Sequence, residues 1–434
     1  MVSDNSFRSL KVEGWRQFGR VDLDLHPRLT VITGANGAGK SSLLRLFSRH
    51  FGFDRPFLST PTRSSSGGYT YVTGLFTGSL SKFWRNLFPN QRQQTNQVGT
   101  LIYGNGQQVN LDVPEQAGVQ YHVSMNGQQH IAGIHIDSHQ PISVFQQVGQ
   151  IPTTFITTLS AYERYNNELL SRYQGGHTGY SPTYRMKEAL IAMAMFGEGN
   201  TQVEGNPAVF SAYRGFIDAL RKVLPDTLGF MDISVRPPEV VLVTKSGEFL
   251  IDAASGGVMT LIDLTWRLHM FSLNNESFVV TMDEPENHLH PTMQRSLMRR
   301  LLGAFPNAQF IIATHSPFMV SSVQDSNVYV LRYVNQQSGK IEDEQVMPSQ
   351  TSRVVSERLD TVNKAGNASE ILRDVLGVSA TIPEWVEEGL DQVVAQYRNR
   401  DISGETLRSL RADLASLGYD ELYPTALAAI TEGK

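Results

Sequence analysis

The chain has 434 residues, 40% of them hydrophobic and 18% charged, and a formal net charge of −5. This is an ordinary globular composition with apolar material for more than one domain. It excludes a disordered chain and a globally basic nucleic-acid coat, while a local basic groove stays compatible with it. The absence of cysteine excludes disulfides, thiol nucleophiles and cysteine-ligated zinc, and agrees with a reducing compartment.

The opening MVSDNSFRSL lacks the basic and apolar blocks of a signal peptide, and the longest conspicuous apolar run, Ala189 to Phe196, is too short to span a bilayer. A cytoplasmic protein with no membrane partner is expected. From Phe7 to Leu46 the pattern predicts strand, turn, strand (VDLDL), a buried strand (LTVIT), a glycine-rich loop, and a helix opening near Lys40 with Leu43, Leu44 and Phe47 on its apolar face. Between about Gly52 and Gln150, Gly, Ser, Thr, Asn and Gln surround short alternating stretches (TLIYG, QQVNLDV, then ISVFQQV), which reads as antiparallel β-structure. Residues from about Leu159 to Leu224 are helical in pattern, too short and irregular for a coiled-coil arm.

The pattern then returns to β at ISVRPPEVVLVT and EFLI. There follow a helix after SGG, an apolar strand (FVVTM), a helix after HLHP, a strand (FIIAT), and two further strands at NVYVLRYV and around EQVMP. After about Thr351 amphipathic helices are predicted to the end. The expected organisation is an α/β core in two halves, 1–51 and 225–350, with a β-rich segment at 52–158, a helical insertion at 159–224 and a helical C-terminal region at 351–434.

Two segments carry chemistry. Gly34-Ala35-Asn36-Gly37-Ala38-Gly39-Lys40-Ser41, followed by Ser42, fits GxxxxGK[ST] between a predicted strand and a predicted helix, the context a phosphate-binding loop requires. Its glycines let backbone N–H groups wrap phosphates, the helix N-terminus adds partial positive charge, Lys40 reaches the β- and γ-phosphates of ATP, and the Ser41 hydroxyl is a ligand for Mg²⁺. The strand Phe278–Met282 ends in Asp283-Glu284, putting two carboxylates where α/β proteins bind ligands. Asp283 is expected to position Mg²⁺ and Glu284 to orient and polarise the attacking water; the alternative is a pair of acids merely closing a strand.

Together GANGAGKSS, ASGG, MDEPENHLHP and FIIATHSP resemble the ABC-type ATPase superfamily, specifically its OLD-like and Septu-type branch of standalone bacterial ATPases, over about half the chain. The resemblance implies an ABC-type P-loop nucleotide-binding domain with a β-rich and helical insertion and a helical C-terminal region. It implies that Ser255-Gly256-Gly257 is the signature segment that grips the γ-phosphate of a second subunit, although Ala253-Ala254 replaces the common leading Leu and Val258 the following acid or amide. His315, 31 positions after Glu284, resembles the switch histidine that senses the γ-phosphate. Glu286, His288 and His290 fall in the dimer-contacting loop and could otherwise be read as a metal cluster. Gln146, Gln147 and Gln150 are candidates for the glutamine that senses Mg²⁺, and Arg16, Phe18 and Arg20 lie where the superfamily often contacts base or ribose.

The acidic spacing of the TOPRIM nuclease domain carried by OLD-family nucleases is not found in residues 332–434. What the resemblance implies is therefore an ATP-hydrolysing conformational switch. It closes as a head-to-tail homodimer or higher oligomer and regulates a separate effector such as a nuclease or toxin, in bacterial defence against phage. The alternative is a DNA-repair or chromosome-maintenance ATPase acting directly on DNA.

Overall fold

The computed structural model describes residues 3–63, 68–73, 95–114, 118–139, 145–335 (except 154, 200 and 203), 352–360, 364, 366, 368–376, 384–398 and 403–432. Contacts divide the chain into two units, Met1–Gly366 and Asn367–Lys434.

In the first unit, β1 (Phe7–Trp15) turns Phe7, Leu10, Val12 and Trp15 inward and pairs antiparallel with β2 (Phe18–Asp24). β3 (Leu29–Gly34) is buried at every position, as a strand covered on both faces must be, and leads through the glycine loop into α1 (Lys40–Ser48). An antiparallel pair follows, β4 (Thr95–Tyr103) and β5 (Gln108–Pro114), and then the short strand β6 (Gly133–Ile136). Three helices form the insertion: α2 (Thr158–Tyr173), α3 (Pro182–Gly197) and α4 (Pro207–Val223). Each starts at a side-chain cap, Thr157, Ser181 and Asn206, and the last two carry Pro at the first helical position, where its missing N–H costs nothing.

A separate three-stranded antiparallel sheet comprises β7 (Phe230–Arg236), β8 (Glu239–Thr244) and β9 (Gly247–Leu250). Next come α5 (Gly256–Ser272), β10 (Phe278–Asp283), α6 (Pro291–Ala304), β11 (Ala308–Ala313), the short α7 (Pro317–Val320), β12 (Asn327–Asn335) and β13 (Ser352–Arg358). Helix α5 packs against α2 and α4, and α4 also meets α3 and α6.

The large sheet has ten strands in the order β6-β10-β11-β3-β12-β13-β2-β1-β4-β5. From β6 to β12 every neighbour is parallel; β13 reverses on β12, and beyond β2 the pairing is antiparallel. The parallel half brings the C-terminal ends of β10, β11 and β3 side by side, which is where such sheets bind ligands. The antiparallel half gathers one continuous apolar core around Trp15, Phe18, Phe47, Leu101 and Tyr103.

Two sequence expectations meet a different outcome. No strand forms over the described part of ISVFQQV, residues 145–148, where Phe145 is exposed and only Val148 is buried; the edge of the parallel half is Gly133–Ile136 instead. The strand expected around EQVMP lies outside the described residues. Ser352–Arg358, read as the start of helical sequence, is a strand because β12 offers it a full antiparallel ladder from Tyr329↔Arg358 to Asn335↔Ser352.

The second unit holds α8 (Glu384–Tyr397), α9 (Gly404–Ser416) and α10 (Tyr423–Glu432), with a small core that includes Leu390, Val394, Tyr397, Leu410, Leu414 and Ile430. No helix among the described residues is long and apolar enough to cross a membrane.

Two loop glycines are dictated by geometry. Gly34 sits at φ 140° and a Cβ there would meet the Leu331 carbonyl oxygen at 2.5 Å; Gly39, at φ 96°, would meet the Phe18 ring at 2.5 Å. Gly39→Ala is expected to destabilise the protein by about 2 kcal/mol or more, from left-handed strain plus overpacking, seen as a lowered urea midpoint at unchanged slope.

Candidate functional site

The loop after β3 is built so that its rim faces solvent while its base is buried. Ala35, Asn36, Gly37 and Ser41 are exposed, Gly39 and Ser42 are half-buried, and Gly34, Ala38 and Lys40 are buried. A turn closes it through Ala38 N to Ala35 O at 3.2 Å. The β1–β2 turn braces the loop from below, with Gln17 Nε2 donating to Gly37 O at 3.2 Å. Lys40 Nζ donates to the carbonyl oxygens of Gly34 (2.9 Å) and Ala35 (3.1 Å) and lies 3.5 Å from His315 Nδ1. Burial lowers the Lys40 pKa to about 8, against the opposing pull of Glu284, Asp283 and Glu286.

The parallel ladder carries the two carboxylates to the same edge. Asp283 closes β10 in register with Ala313, and its side chain is hydrogen-bonded by Ser41. Burial raises the Asp283 pKa, with Ser41 opposing. Glu284 adopts φ 49°, a left-handed conformation that costs a non-glycine residue about 1 kcal/mol or more, and its N–H donates to Ala313 O at 2.8 Å. That turn aims the carboxylate at the open edge, where Oε2 accepts from Asn287 Nδ2 (3.1 Å) and Oε1 lies 3.6 Å from His315 Nε2. The His315 pKa is lowered, first by burial and then by Lys40, so the ring is neutral at pH 7.

Glu286 fixes the histidine. Its Oε1 accepts from Thr314 Oγ1 (2.5 Å), His315 N (2.9 Å) and Ser316 N (3.2 Å), while Oε2 has no hydrogen-bond partner among the described residues. Burial raises its pKa. His290 caps α6. Neither side chain is positioned as part of a metal cluster with His288, and no group of three or more potential metal-ligating side chains occurs among the described residues.

Ser255 occupies the N-cap position of α5 without a side-chain cap bond, and Ser255 and Gly256 are exposed. Gly257 packs on the loop after the carboxylates, where a Cβ would lie 2.8 Å from His288 O. Of the glutamine candidates, Gln146 is committed by both ends of its amide, to Gly179 O (3.0 Å) and Ser181 N (2.6 Å), while Gln147 and Gln150 are exposed. The three N-terminal candidates separate. Arg16 stays near the loop, with its guanidinium over the Phe57 ring; Phe18 is buried against Gly39; and Arg20 faces the far side of the sheet beside Lys11 and Asp22.

Three contributors escape the sequence reading. Gln17 supports the loop, and Asn287 bridges Glu284 and the carbonyl of Ser138 (3.1 Å). Asp137, paired with Arg55 at 2.8 Å, follows a strand whose Ile136 is in register with Met282, so it adjoins Asp283. Asn287 was within reach as the residue three after Glu284, but Gln17 and Asp137 depend on non-local pairing that one sequence does not display.

Comparison with known proteins gives two family matches. Residues 9–71 match an AAA domain, and residues 244–321 match the family described as "AAA domain, putative AbiEii toxin, Type IV TA system". The chain is 31% identical over 126 residues to the Retron Ec83 probable ATPase of Escherichia coli (26% of this chain, 23% of that protein). It is 25% identical over 147 residues to the Septu protein PtuA of Bacillus thuringiensis (27% of this chain, 37% of that protein). Each match thus spans well under two thirds of the relative's length. An SMC head bound to the C-terminal winged-helix domain of ScpA aligns over 83% of this chain and 99% of that one, at 16% identity and a TM-score of 0.40. The two AAA matches contain the phosphate loop and the carboxylate strand respectively, and the resemblance to the Septu-type branch of ATPases is borne out.

Glu286→Ala strips the acceptor from three donors at once. It is expected to cost about 3 kcal/mol of stability, from unpaired buried polar groups, while Glu286→Gln, which keeps the acceptor oxygen, costs less. Urea denaturation of both variants checks the order.

Proposed function

We propose that this ABC-type P-loop ATPase, similar in part to retron and Septu ATPases, is an ATP-hydrolysing switch that closes as a head-to-tail dimer and regulates a separate effector. The observation that carries the reading is the convergence, on three adjacent parallel strand ends, of Lys40 with its loop, the Asp283–Glu284 pair and His315 within 3.6 Å of Glu284.

In this reading the loop amides of residues 34–42 and the Lys40 ammonium hold the β- and γ-phosphates. The hydroxyl of Ser41, already hydrogen-bonded to Asp283, and the Asp283 carboxylate form an all-oxygen donor pair suited to a hard divalent cation. Mg²⁺ supplies charge neutralisation between the phosphates when bound. Glu284 accepts a hydrogen bond from the attacking water and aligns it. The water oxygen bonds to the γ-phosphorus as its proton passes to Glu284, the bond to the bridging oxygen breaks, and ADP leaves with the electron pair. Neutral His315, held through its backbone by Glu286, donates toward the γ-phosphate and reports its loss.

The signature role of Ser255, Gly256 and Gly257 is supported by exposure: a hydroxyl without a cap bond and the N-terminal amides of the 17-residue helix α5 are open to a second copy. A γ-phosphate gripped by both copies stabilises only the closed state, so hydrolysis reopens it. The defence setting and the effector rest on the likeness to retron and Septu ATPases.

Glu284→Gln should retain ATP while slowing hydrolysis at least about 100-fold. Light scattering of that variant should show the mass double with ATP·Mg²⁺; a monomer with ATP demonstrably bound, or an unchanging larger mass, overturns ATP-driven closure. A second expectation concerns pH. Because the Lys40 pKa is lowered to about 8 and bound phosphates raise it, ATP binding near pH 8.5 should take up a proton, and affinity should fall as the pH climbs past 8. Calorimetry in buffers of different ionisation enthalpy reads that proton directly.

A further inference from the structure

Helix α3 carries a charge that its packing does not require. Lys187 is completely enclosed, flanked on the helix by buried Met186, Leu190 and Ile191. Its Nζ donates to the carbonyl oxygen of Gln146 at 2.6 Å and to Asp252 Oδ2 at 2.8 Å, lies 3.6 Å from Glu239 Oε2, and stands 4.9 Å from the centre of the Phe145 ring. A buried ammonium is costly unless paired, and an apolar side chain of similar volume would pack α3 as well or better. What an apolar residue cannot do is hold two acceptors face to face. The Gln146 carbonyl and the Asp252 carboxylate repel each other without a donor between them.

The two acceptors belong to segments that matter to the site. Gln146 lies in the chain that follows β6, whose end adjoins Asp283 and whose Ser138 carbonyl is tied through Asn287 to Glu284. Asp252 lies in the 3-10 turn Ile251–Ala253, one residue ahead of Ser255. Gln146 is further fastened to the start of α3 through Gly179 and Ser181.

We propose that Lys187 is a positioning residue: its ammonium locks residues 145–150 to the turn at 251–253, so that the segment leaving the metal-side strand edge and the signature segment move as one body. The inference rests on the function proposed above and adds the device that carries nucleotide state from the strand edge to Ser255. Lys187 has no place among the groups proposed to hold the phosphates or align the water; it acts through Asp252.

The test uses the whole 434-residue chain in the Glu284→Gln background, with Lys187→Met and, separately, Asp252→Ala. Binding of a fluorescent ATP analogue to the monomer should stay within about threefold of the parent, because the phosphate loop is untouched, while ATP-driven association measured by light scattering should weaken at least about tenfold. Amide exchange should rise together in 145–150 and 251–258 and remain unchanged in β3 and α1. Association within about twofold of the parent in a folded variant overturns the proposal. So does exchange that rises in one segment alone. If Lys187→Met does not fold, Asp252→Ala, which removes the acceptor from the turn and leaves the ammonium its bond to the Gln146 carbonyl, decides by the same criteria. If the Glu284→Gln parent itself fails to associate with ATP, the dimer reading falls, and the paired exchange response still judges the lock.

Discussion

One carboxylate oxygen holds the site in register. Glu286 Oε1 receives the Thr314 hydroxyl and two successive backbone N–H groups, and the Thr314 carbonyl in turn accepts from Thr33 Oγ1 at 2.9 Å. Three strand ends, β10, β11 and β3, are thereby latched to one another beyond the point where their ladders stop. Charge-assisted bonds of this kind are shorter and stronger than neutral ones, and three on one oxygen leave the following residue little freedom. His315 is that residue, which is why its ring can stand between Lys40 and Glu284 at 3.5 and 3.6 Å.

The same edge concentrates backbone strain. Among the described non-glycine residues, positive φ occurs at Arg16, Glu284 and His288. The first is in the turn that carries Gln17 to the phosphate loop, and the other two bracket the segment that reaches from the carboxylates to Gly257. Such conformations persist where surrounding contacts over-determine them. Here those contacts are the Glu286 bonds and the close approach of Gly257 to the His288 carbonyl. Strain and latch are two aspects of one arrangement: the chain turns sharply after β10 so that Glu284 points outward while Glu286, two residues on, points back into the protein.

Much of this was legible because the phosphate loop and the acid pair are local. Gly34 to Ser42 lie in one stretch between a strand and a helix, and Asp283-Glu284 follow a five-residue strand in which four residues are apolar, so each announces its own secondary structure. His315 could be found for the same reason, as the residue just past FIIAT. What local pattern misses is pairing across the sheet. The edge strand Gly133–Ile136 has four residues, too few for a pattern to mark it, and it exists because β10 offers a parallel ladder. Asp137 becomes a neighbour of Asp283 only through that ladder. Likewise Arg353 and Val354, in a stretch read as helical, are buried because β12 and β2 lie on either side. Phe18 lies where the superfamily often contacts base or ribose, yet its ring is the wall against which Gly39 packs.

The electrostatics of the edge account for the coupling of nucleotide to conformation in the proposed function. Burial pushes Asp283 and Glu286 upward and Lys40 and His315 downward; against it, the Lys40 cation is favoured by the neighbouring carboxylates, the Asp283 anion by the Ser41 hydrogen bond and by Lys40, and the Glu286 anion by the hydrogen bonds from Thr314, His315 and Ser316. A set balanced in this way responds strongly to added charge. In the proposed function, phosphates would stabilise the Lys40 ammonium and a divalent cation the Asp283 carboxylate, each making the other easier to accept. Because the loop, the acid pair and the histidine hang from three latched strands, that gain is shared by the whole edge and reaches β6 through Asn287 and Ser138. A ligand that binds one arrangement of this edge better than another shifts the equilibrium between them by the difference, and the γ-phosphate, lying nearest Lys40, Glu284 and His315 in the proposed pose, is the part of ATP whose removal changes that difference most.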